Sequence, residues 1–186
     1  MLLKLTKLKE LNKKKFKVGI SVGDPNGIGI EVILKCFQNL EIVRLFNPVI
    51  FANIEIIEYQ MRQFNINLKL NSIQTFEKIR TDRINVYNIF PGDFKHSFGE
   101  ATFQGGQVAL KSLLASINAL NSGGIEALVT APINKKNILS EKFNFVGHTE
   151  FLSNFFSSES LMSVSYTHLR AHETGRNLVF RLLLEK

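Results

Sequence analysis

Short apolar runs that alternate with amphipathic stretches restrict the fold of this chain more than any other feature. The run KVGISV (17–22) ends in the turn cluster GDPNG, and apolar residues at helical spacing follow from residue 28. The same pairing of a strand-like run with a helical stretch recurs along the chain. Strands that alternate with helices of this length predict a parallel sheet with helices packed on it. The expected fold class is therefore α/β.

The periodicity also predicts where the individual elements lie. We expect Asn121–Gly124 to end the last long helix, because glycine accepts the left-handed conformation that a helix C-terminus needs. The run IEALVT (125–130) is typical of a buried strand. The predicted strands are 17–22, 48–52, 84–90 and 125–130, with shorter candidates between 66 and 90, and the predicted helices are 28–40, 53–64 and 101–120.

The charge distribution argues against a nucleic-acid-binding protein. The chain has 186 residues, which is about one domain, and a net charge of +7. Residues 1–17 carry a net +6 and residues 163–186 a net +2, which leaves −1 for the 145 residues between them. A nucleic-acid-binding face belongs to the folded body rather than to the two ends of a chain. We therefore expect neither a nucleic-acid partner nor a membrane partner, since no apolar run is long enough to span a bilayer.

The N-terminal segment and the single cysteine bear on location. Residues 1–16 are predicted to be a basic N-terminal extension, because they lack the apolar core and the cleavage site of a secretory signal. A short basic amphipathic helix at a membrane surface is the alternative. Cys36 is the single cysteine, so the chain has no intramolecular disulfide, which fits a reducing compartment. Cys36 itself is expected to be buried on a helix. The expected localisation is cytoplasmic.

The first candidate ligand segment is the turn Gly23–Gly29, between a predicted strand and a predicted helix. Glycines let a ligand approach the backbone, and the start of the following helix offers unpaired N–H groups to a phosphate or carboxylate. The alternative is a purely structural turn in which Asp24 caps the backbone locally. The candidate ligand-loop residues are Gly23, Asp24, Gly27, Gly29 and, from a second segment, Lys135.

That second segment, Thr130–Lys135, follows the end of a predicted strand. Ligands of open parallel sheets bind outside the carboxyl ends of strands, where Lys135 would supply a positive charge. A solvated helix start at Lys135 and Lys136 is the alternative. The third candidate is Gly147–Glu150, in which His148 would donate to a substrate oxygen or act near neutral pH. Its structural alternative is a hydrogen-bonded histidine, followed by Thr149 as a helix cap.

Three blocks in the same order give these candidates a family context: VGISVGDPNGIGIEVILK (18–35), ALVTAPINKKNI (127–138) and FVGHTEFL (145–152). Together they resemble the 4-hydroxythreonine-4-phosphate dehydrogenase (PdxA) family over about residues 16–162. The resemblance implies a fold similar to isocitrate and isopropylmalate dehydrogenases, and a homodimer when the chain is full length. It also places the substrate-binding pair of the family on His148 and Thr149.

The activity that the resemblance implies is an oxidation with NAD as cofactor. The expected substrate is 4-phosphooxy-L-threonine, a phosphorylated hydroxy-amino acid, which is oxidised and decarboxylated to 3-amino-2-oxopropyl phosphate during pyridoxal phosphate biosynthesis. A divalent metal held by histidines polarises the reacting hydroxyl. The metal ligands of the family lie later in its sequence, so no catalytic or metal-binding residue is assigned here.

The last 24 residues depart from this pattern. His168 and His172 have a spacing that suits metal ligands on a helix, but His168 follows His148 by only 20 residues, too few for the intervening elements of the family. We therefore expect residues 17–162 to be a partial dehydrogenase domain and residues 163–186 to be a non-native tail, so that the chain alone is inactive. Two alternatives stay open: a dehydrogenase of phosphorylated threonate or erythronate, and a non-catalytic phosphate-binding module.

Overall fold

The computed structural model describes residues 15–90, 92, 94–138 and 148–156. The chain divides into two compact units, Met1–Asn144 and Phe145–Lys186. The first unit contains a parallel sheet with helices on both faces, and the second contains one described helix. The predicted α/β class and the mainly parallel sheet are therefore confirmed.

The sheet has five strands in the described part of the chain, in the order β3-β4-β2-β1-β5. All four pairings between neighbours are parallel. The strands are β1 Lys17–Ser21, β2 Asn47–Ala52, β3 Leu70–Ile73, β4 Ile84–Asn88 and β5 Ala127–Thr130.

The helices follow the predicted pattern with one correction. The expected helix over 28–40 ends at Phe37, and a second helix that was not predicted begins at Leu40, where the Asn39 side chain caps it by accepting a hydrogen bond from the Glu41 N–H. The stop after the longest helix is confirmed, with Gly123 at a φ of +73°. The helices are α1 Gly29–Phe37, α2 Leu40–Leu45, α3 Ile54–Gln63, α4 Phe103–Asn121, α5 Lys135–Ile138 and α6 His148–Phe156, and a 3-10 helix covers Phe76–Lys78.

The alternation of side chains along β2 shows how the sheet is covered on both faces. Ile50 and Ala52 pack into a cluster with residues of α1 and α3. Val49 and Phe51 point to the opposite face and pack with Ala119 of α4. A parallel strand that is buried on both faces needs this kind of continuous apolar sequence.

Two predictions about burial are wrong. β5 was expected to be a buried strand, but Val129 is 54% exposed, because β5 is the edge of the described sheet. Cys36 was expected to be buried, but it is exposed on the outer side of α1. The buried residues of α1 are Gly29, Ile30, Ile33, Leu34 and Phe37.

Ser112 of α4 ties this helix to the carboxyl ends of two strands. Its hydroxyl accepts a hydrogen bond from the Val22 N–H at 3.0 Å and donates one to the Phe51 carbonyl oxygen at 2.6 Å. These backbone groups are buried, so leaving them unpaired would cost about 1–3 kcal/mol each. The contact fixes α4 beside the ends of β1 and β2.

Within the described ranges, no helix combines the length and the apolar character needed to cross a membrane.

Candidate functional site

The two ligand segments predicted in the first unit meet at the carboxyl edge of the sheet. β1 and β5 are neighbours, and the chain leaves β1 toward β2 on the other side, so the β1–β5 boundary has the geometry of a topological switch point. The Asp24 N–H, just after β1, donates to the Pro132 carbonyl oxygen, just after β5, at 3.2 Å. The structure therefore brings the two predicted segments together at the ends of β1 and β5.

An open cleft of about 480 Å³ lies at this edge. Three segments line it. They are the turn residues Asp24, Asn26 and Gly27, the loop residues Gly99 and Glu100, and the segment 132–135 that ends in Lys135.

Asp24 is buried and both of its carboxylate oxygens accept hydrogen bonds. Oδ1 accepts from the Asn26 N–H at 2.9 Å, and Oδ2 accepts from the Asn137 side-chain amide at 2.8 Å. The first contact is the local backbone cap that the sequence offered as an alternative role for Asp24. Carboxylates held by two donors are fixed in orientation.

Asn26, which is also buried, connects the turn to two other parts of the chain. Its Nδ2 donates to the Thr102 hydroxyl oxygen at 2.9 Å, and its Oδ1 accepts from the Ser97 N–H at 2.9 Å. The Asn26 carbonyl oxygen also accepts from the Gly99 N–H at 2.8 Å. Thr102 is at the same time the N-cap of α4. The turn, the loop 97–99 and the start of α4 therefore form one hydrogen-bonded unit.

The glycines of the turn have different tasks. Gly23 has a φ of +66°, and a Cβ there would overlap the Pro132 carbonyl oxygen. A Cβ at Gly29 would lie 2.8 Å from the Val22 carbonyl oxygen and 3.1 Å from the Ala131 Cβ. Close packing therefore accounts for Gly23 and Gly29 without a ligand, whereas Gly27 is exposed and lines the cleft. That the four turn residues bind a ligand stays a prediction.

The charges around the cleft are mixed. Lys135 is exposed at the first position of α5, and α1 begins two residues after Gly27 with Ile28 at its N-cap, whose side chain cannot accept a hydrogen bond. Both features favour an anion. Asp24 and Glu100 also line the cleft and limit the positive potential. An anionic group that also carries hydrogen-bond donors, such as a hydroxyl or an amine, suits this mixture best.

His148 belongs to the second unit, at the first position of α6. Burial lowers the pKa of the His148 imidazole below its usual value, and Nε2 has no hydrogen-bond partner among the described residues. The interpretation of Thr149 as a helix cap is wrong, because α6 already includes His148. That His148 and Thr149 bind substrate stays a prediction.

Several side chains that hold the cleft-lining segments in place were not predicted from the sequence. Asn137, Thr102 and Gln60 come from three different helices or helix caps, and Gln60 donates to the Pro25 carbonyl oxygen at 2.8 Å. Nothing in their local sequence marks them, because their role depends on partners 35 or more residues away. A second missed feature is the ring of His96, stacked on Tyr59 with centroids 3.9 Å apart.

In the parts of the chain that the structure describes, no group of three His, Cys, Asp or Glu side chains is arranged to hold a metal ion. His168 and His172 lie outside the described residues.

The first unit has a parallel sheet with helices on both faces, and a glycine-rich turn and a lysine lie at the switch point of this sheet. This arrangement is typical of the class of α/β proteins that bind small ligands at strand ends. The family model described as "Pyridoxal phosphate biosynthetic protein PdxA" matches residues 44–181, so the chain belongs to this family.

Two relatives show how the match extends. A 4-hydroxythreonine-4-phosphate dehydrogenase of Bacteroides thetaiotaomicron is 30% identical over 187 residues, which cover 95% of this chain and 51% of the relative. A Clostridium botulinum protein provisionally named D-threonate 4-phosphate dehydrogenase is 28% identical over 152 residues, which cover 79% of this chain and 45% of the relative. The chain therefore spans about half the length of the curated relatives it matches.

Solved structures support the fold. A 4-hydroxythreonine-4-phosphate dehydrogenase from Burkholderia phymatum superposes with a TM-score of 0.70 at 23% identity, covering 80% of this chain and 46% of that protein. The corresponding Klebsiella pneumoniae enzyme gives a TM-score of 0.67 at 21% identity, covering 77% of this chain and 44% of that protein.

The match to the family model continues to residue 181, into the segment 163–186 that the sequence analysis assigned to a non-native tail. The origin of this segment stays a prediction, as do the boundaries 1–16 and 17–162.

Proposed function

We propose that this chain is part of an NAD-dependent, metal-assisted dehydrogenase that oxidises and decarboxylates 4-phosphooxy-L-threonine to 3-amino-2-oxopropyl phosphate. The observation that carries the proposal is the family match over residues 44–181, together with a ligand cleft at the β1–β5 switch point. The mixed charge of the cleft suits a substrate that combines an anion with polar donors. As in the resemblance described above, we propose a homodimeric, cytoplasmic protein.

Within this proposal, the residues of the chain bind and orient the substrate. Lys135 and the start of α1 attract an anionic group of the substrate. His148, whose pKa is lowered by burial, is neutral near pH 7, so its imidazole offers one donor and one acceptor to a substrate hydroxyl. Thr149 is its partner in the substrate-binding pair. Holding the reacting group in one orientation contributes a large part of the rate enhancement of such an enzyme.

The described residues do not by themselves form a binding site for the metal or a specific one for NAD. No described set of side chains fits a metal ion, and the cleft has no feature that separates a dinucleotide from another phosphate ester. When bound, the metal would polarise the reacting hydroxyl and NAD would accept the hydride. We propose that the 186-residue chain alone is inactive.

The second candidate is a dehydrogenase of phosphorylated threonate or erythronate. The relative of Clostridium botulinum favours it, since its provisional name specifies D-threonate 4-phosphate. A threonate lacks the amino group of threonine. Comparison of kcat/KM for 4-phosphooxy-L-threonine and for D-threonate 4-phosphate therefore decides between the two candidates.

The test is NADH formation by the gene product extended to the length of its relatives, with a divalent metal and each substrate in turn. We expect one of them to be turned over, and expect His148→Ala to lower kcat/KM at least about 100-fold while the protein stays folded, because positioned groups contribute on this scale. Asn154→Ala, on the exposed side of the same helix, is the control and should keep the activity.

Binding of phosphorylated ligands without any turnover would instead support a phosphate-binding module. Unchanged kinetics of His148→Ala would remove this residue from the site. Metal-dependent turnover by the 186-residue chain itself would refute the proposal that this chain is inactive alone.

A further inference from the structure

We propose that Asn137 is a positioning residue, which holds the Asp24 carboxylate and Lys135 in a fixed relation across the cleft. This inference rests on the proposed function, because it concerns how the same cleft binds its anionic substrate. Asn137 lies on α5 two residues after Lys135, and the sequence analysis gave it no role.

The side chain of Asn137 bridges two segments that are far apart in sequence. Its Nδ2 donates to Asp24 Oδ2 at 2.8 Å and to the Thr102 carbonyl oxygen at 3.1 Å. Its Oδ1 is buried and has no hydrogen-bond partner among the described residues. The contribution of Asn137 is therefore entirely that of a donor, and one of its acceptors is charged. Hydrogen bonds to a charged acceptor are about twice as strong as neutral ones.

The bond to Asn137 completes the support of Asp24. The other carboxylate oxygen already accepts from the Asn26 N–H, so among the described residues the carboxylate contact from outside the turn is the one with Asn137. Asp24 is only 5% exposed, and a buried carboxylate that loses a donor is left with a charged oxygen that has no hydrogen bond. The carboxylate would then move toward the cleft and toward solvent.

The backbone of α5 is fixed by an independent contact. A Cβ at Gly106 of α4 would overlap the Asn137 carbonyl oxygen, so α5 lies directly against the backbone of α4. The backbone contact sets the distance of α5 from α4, and the side-chain contact sets its position relative to the turn. Because α5 has only four residues, a shift at Asn137 also moves Lys135 at its start.

Replacement of Asn137 by aspartate separates this role from a merely structural one. The substitution keeps the size of the side chain but places two carboxylates within hydrogen-bond distance. Near neutral pH they repel each other, whereas at lower pH a shared proton restores a donor between them. The charged groups that line the cleft are Asp24 on the turn, Glu100 on the loop and Lys135 on α5.

The experiment measures kcat and KM of the family-length enzyme for its phosphorylated substrate between pH 5.5 and pH 8.5 (about one unit or more either side of neutrality). We expect Asn137→Ala to raise KM at least about 10-fold with a smaller change in kcat, because anion binding is what Lys135 supplies. Asn137→Asp should raise KM further at the highest pH, and its KM should fall toward that of the wild type as the pH falls and the shared proton restores the donor. Asn67→Asp, an exposed asparagine away from the cleft, should match the wild type at every pH.

An unchanged KM for both variants overturns the proposal, and so does a defect of Asn137→Asp that is the same at every pH. If Asn137→Asp does not fold, the KM-against-kcat split of Asn137→Ala decides alone.

A wild-type enzyme without turnover refutes the proposed function but still leaves a direct test of Asn137. The affinity for inorganic phosphate, measured by calorimetry, then replaces KM, with the same variants and the same expected order. Equal affinity of the wild type and Asn137→Ala, or no phosphate binding by the wild type, overturns the role of Asn137.

Discussion

β1 and β5 are adjacent strands of one sheet, yet their surroundings differ completely. Ile20 and Val129 are partners in the parallel register and face the same side of the sheet. Ile20 is 6% exposed and belongs to the core cluster that contains the buried residues of α1, whereas Val129 is 54% exposed. The burial of a strand therefore depends on the neighbouring strands and on the helices that pack on its faces, and not on its own apolar sequence.

At their carboxyl ends, β1 and β5 are both followed by segments that are held by hydrogen bonds. The turn after β1 is bonded to the segment after β5, to the loop 97–99 and to the start of α4. One end of the β1–β5 pair is thus densely connected, whereas no described strand pairs with the outer edge of β5. The exposed apolar residues Ile28, at the N-cap of α1, and Val32 of α1 lie in the same unit as this edge strand of the described sheet. Because parallel sheets are normally covered on both faces, we expect the remaining half of a family-length protein to cover this region.

The largest effect is expected where the two strand ends touch. Gly23→Ala places a methyl group against the Pro132 carbonyl oxygen and forces a left-handed conformation on alanine. We expect it to lower the free energy of unfolding by at least about 3 kcal/mol, measured by urea denaturation.

Gly123→Ala is the matched control for Gly23→Ala. Gly123 has a similar φ of +73°, but a Cβ added there would have no neighbouring atom within 4 Å, so only the conformational cost of about 1 kcal/mol remains. Equal losses for the two variants would mean that the two strand ends do not meet.

A smaller effect on stability is expected from truncating side chains within the two strands. Ile20→Ala should cost about 3 kcal/mol of unfolding free energy, because it leaves a cavity in the core. Val129→Ala, at the partner position on the same face, should cost less than about 0.5 kcal/mol. Comparable losses would show that Val129 is covered in solution, and would break the contrast between β1 and β5.

The smallest effect is expected at His96, which precedes the loop 97–99 at the carboxyl ends of β1 and β5. The His96 ring stacks on Tyr59 and meets Phe94 edge-on, and burial lowers the pKa of its imidazole. Folding therefore favours the neutral ring: its contribution to stability is complete above the ordinary pKa of about 6.5 and is lost as the pH falls below it.

His96→Phe keeps the ring contacts but cannot be protonated. Urea denaturation at pH 7.5 and pH 5.5 (about one unit either side of the ordinary pKa) should show a smaller loss of stability on acidification than in the wild type. Some dependence on pH should persist, because burial also lowers the pKa of His148. The same loss in both proteins would contradict the assignment to His96. The neighbouring charged groups are Glu55, Arg62 and Lys95.

Much of the fold was predictable, because it follows from local patterns. The alternation of strands and helices, the glycine stop at Gly123 and the turn after β1 all depend on residues close together in the chain. The end of α1 at Phe37 and the start of α2 at Leu40 were missed because apolar spacing continues past Phe37, whereas the capping by Asn39 depends on a single side chain. The exposure of Cys36 was missed because the described residues cover α1 on one side only.

The candidate site was predictable in part. Its location at two strand ends follows from the general rule for parallel sheets, and the structure brings Asp24 and the segment that carries Lys135 into one cleft. The side chains that shape the cleft, Asn26, Thr102 and Asn137, were not predictable as a group. Their hydrogen bonds join positions 35 to 113 residues apart, and no local pattern records such a pairing.

The sequence by itself determined the α/β class, the order of most elements and the family, because periodicity and short motifs are local properties of the chain. Only the tertiary structure decided which apolar strand is buried and which is an edge. It also decided that the ends of β1 and β5 face one cleft, and that Asn137 completes the support of Asp24. The physical reason is the same in each case: burial and hydrogen bonding depend on which distant segments become neighbours, and that information appears only when the sheet has formed.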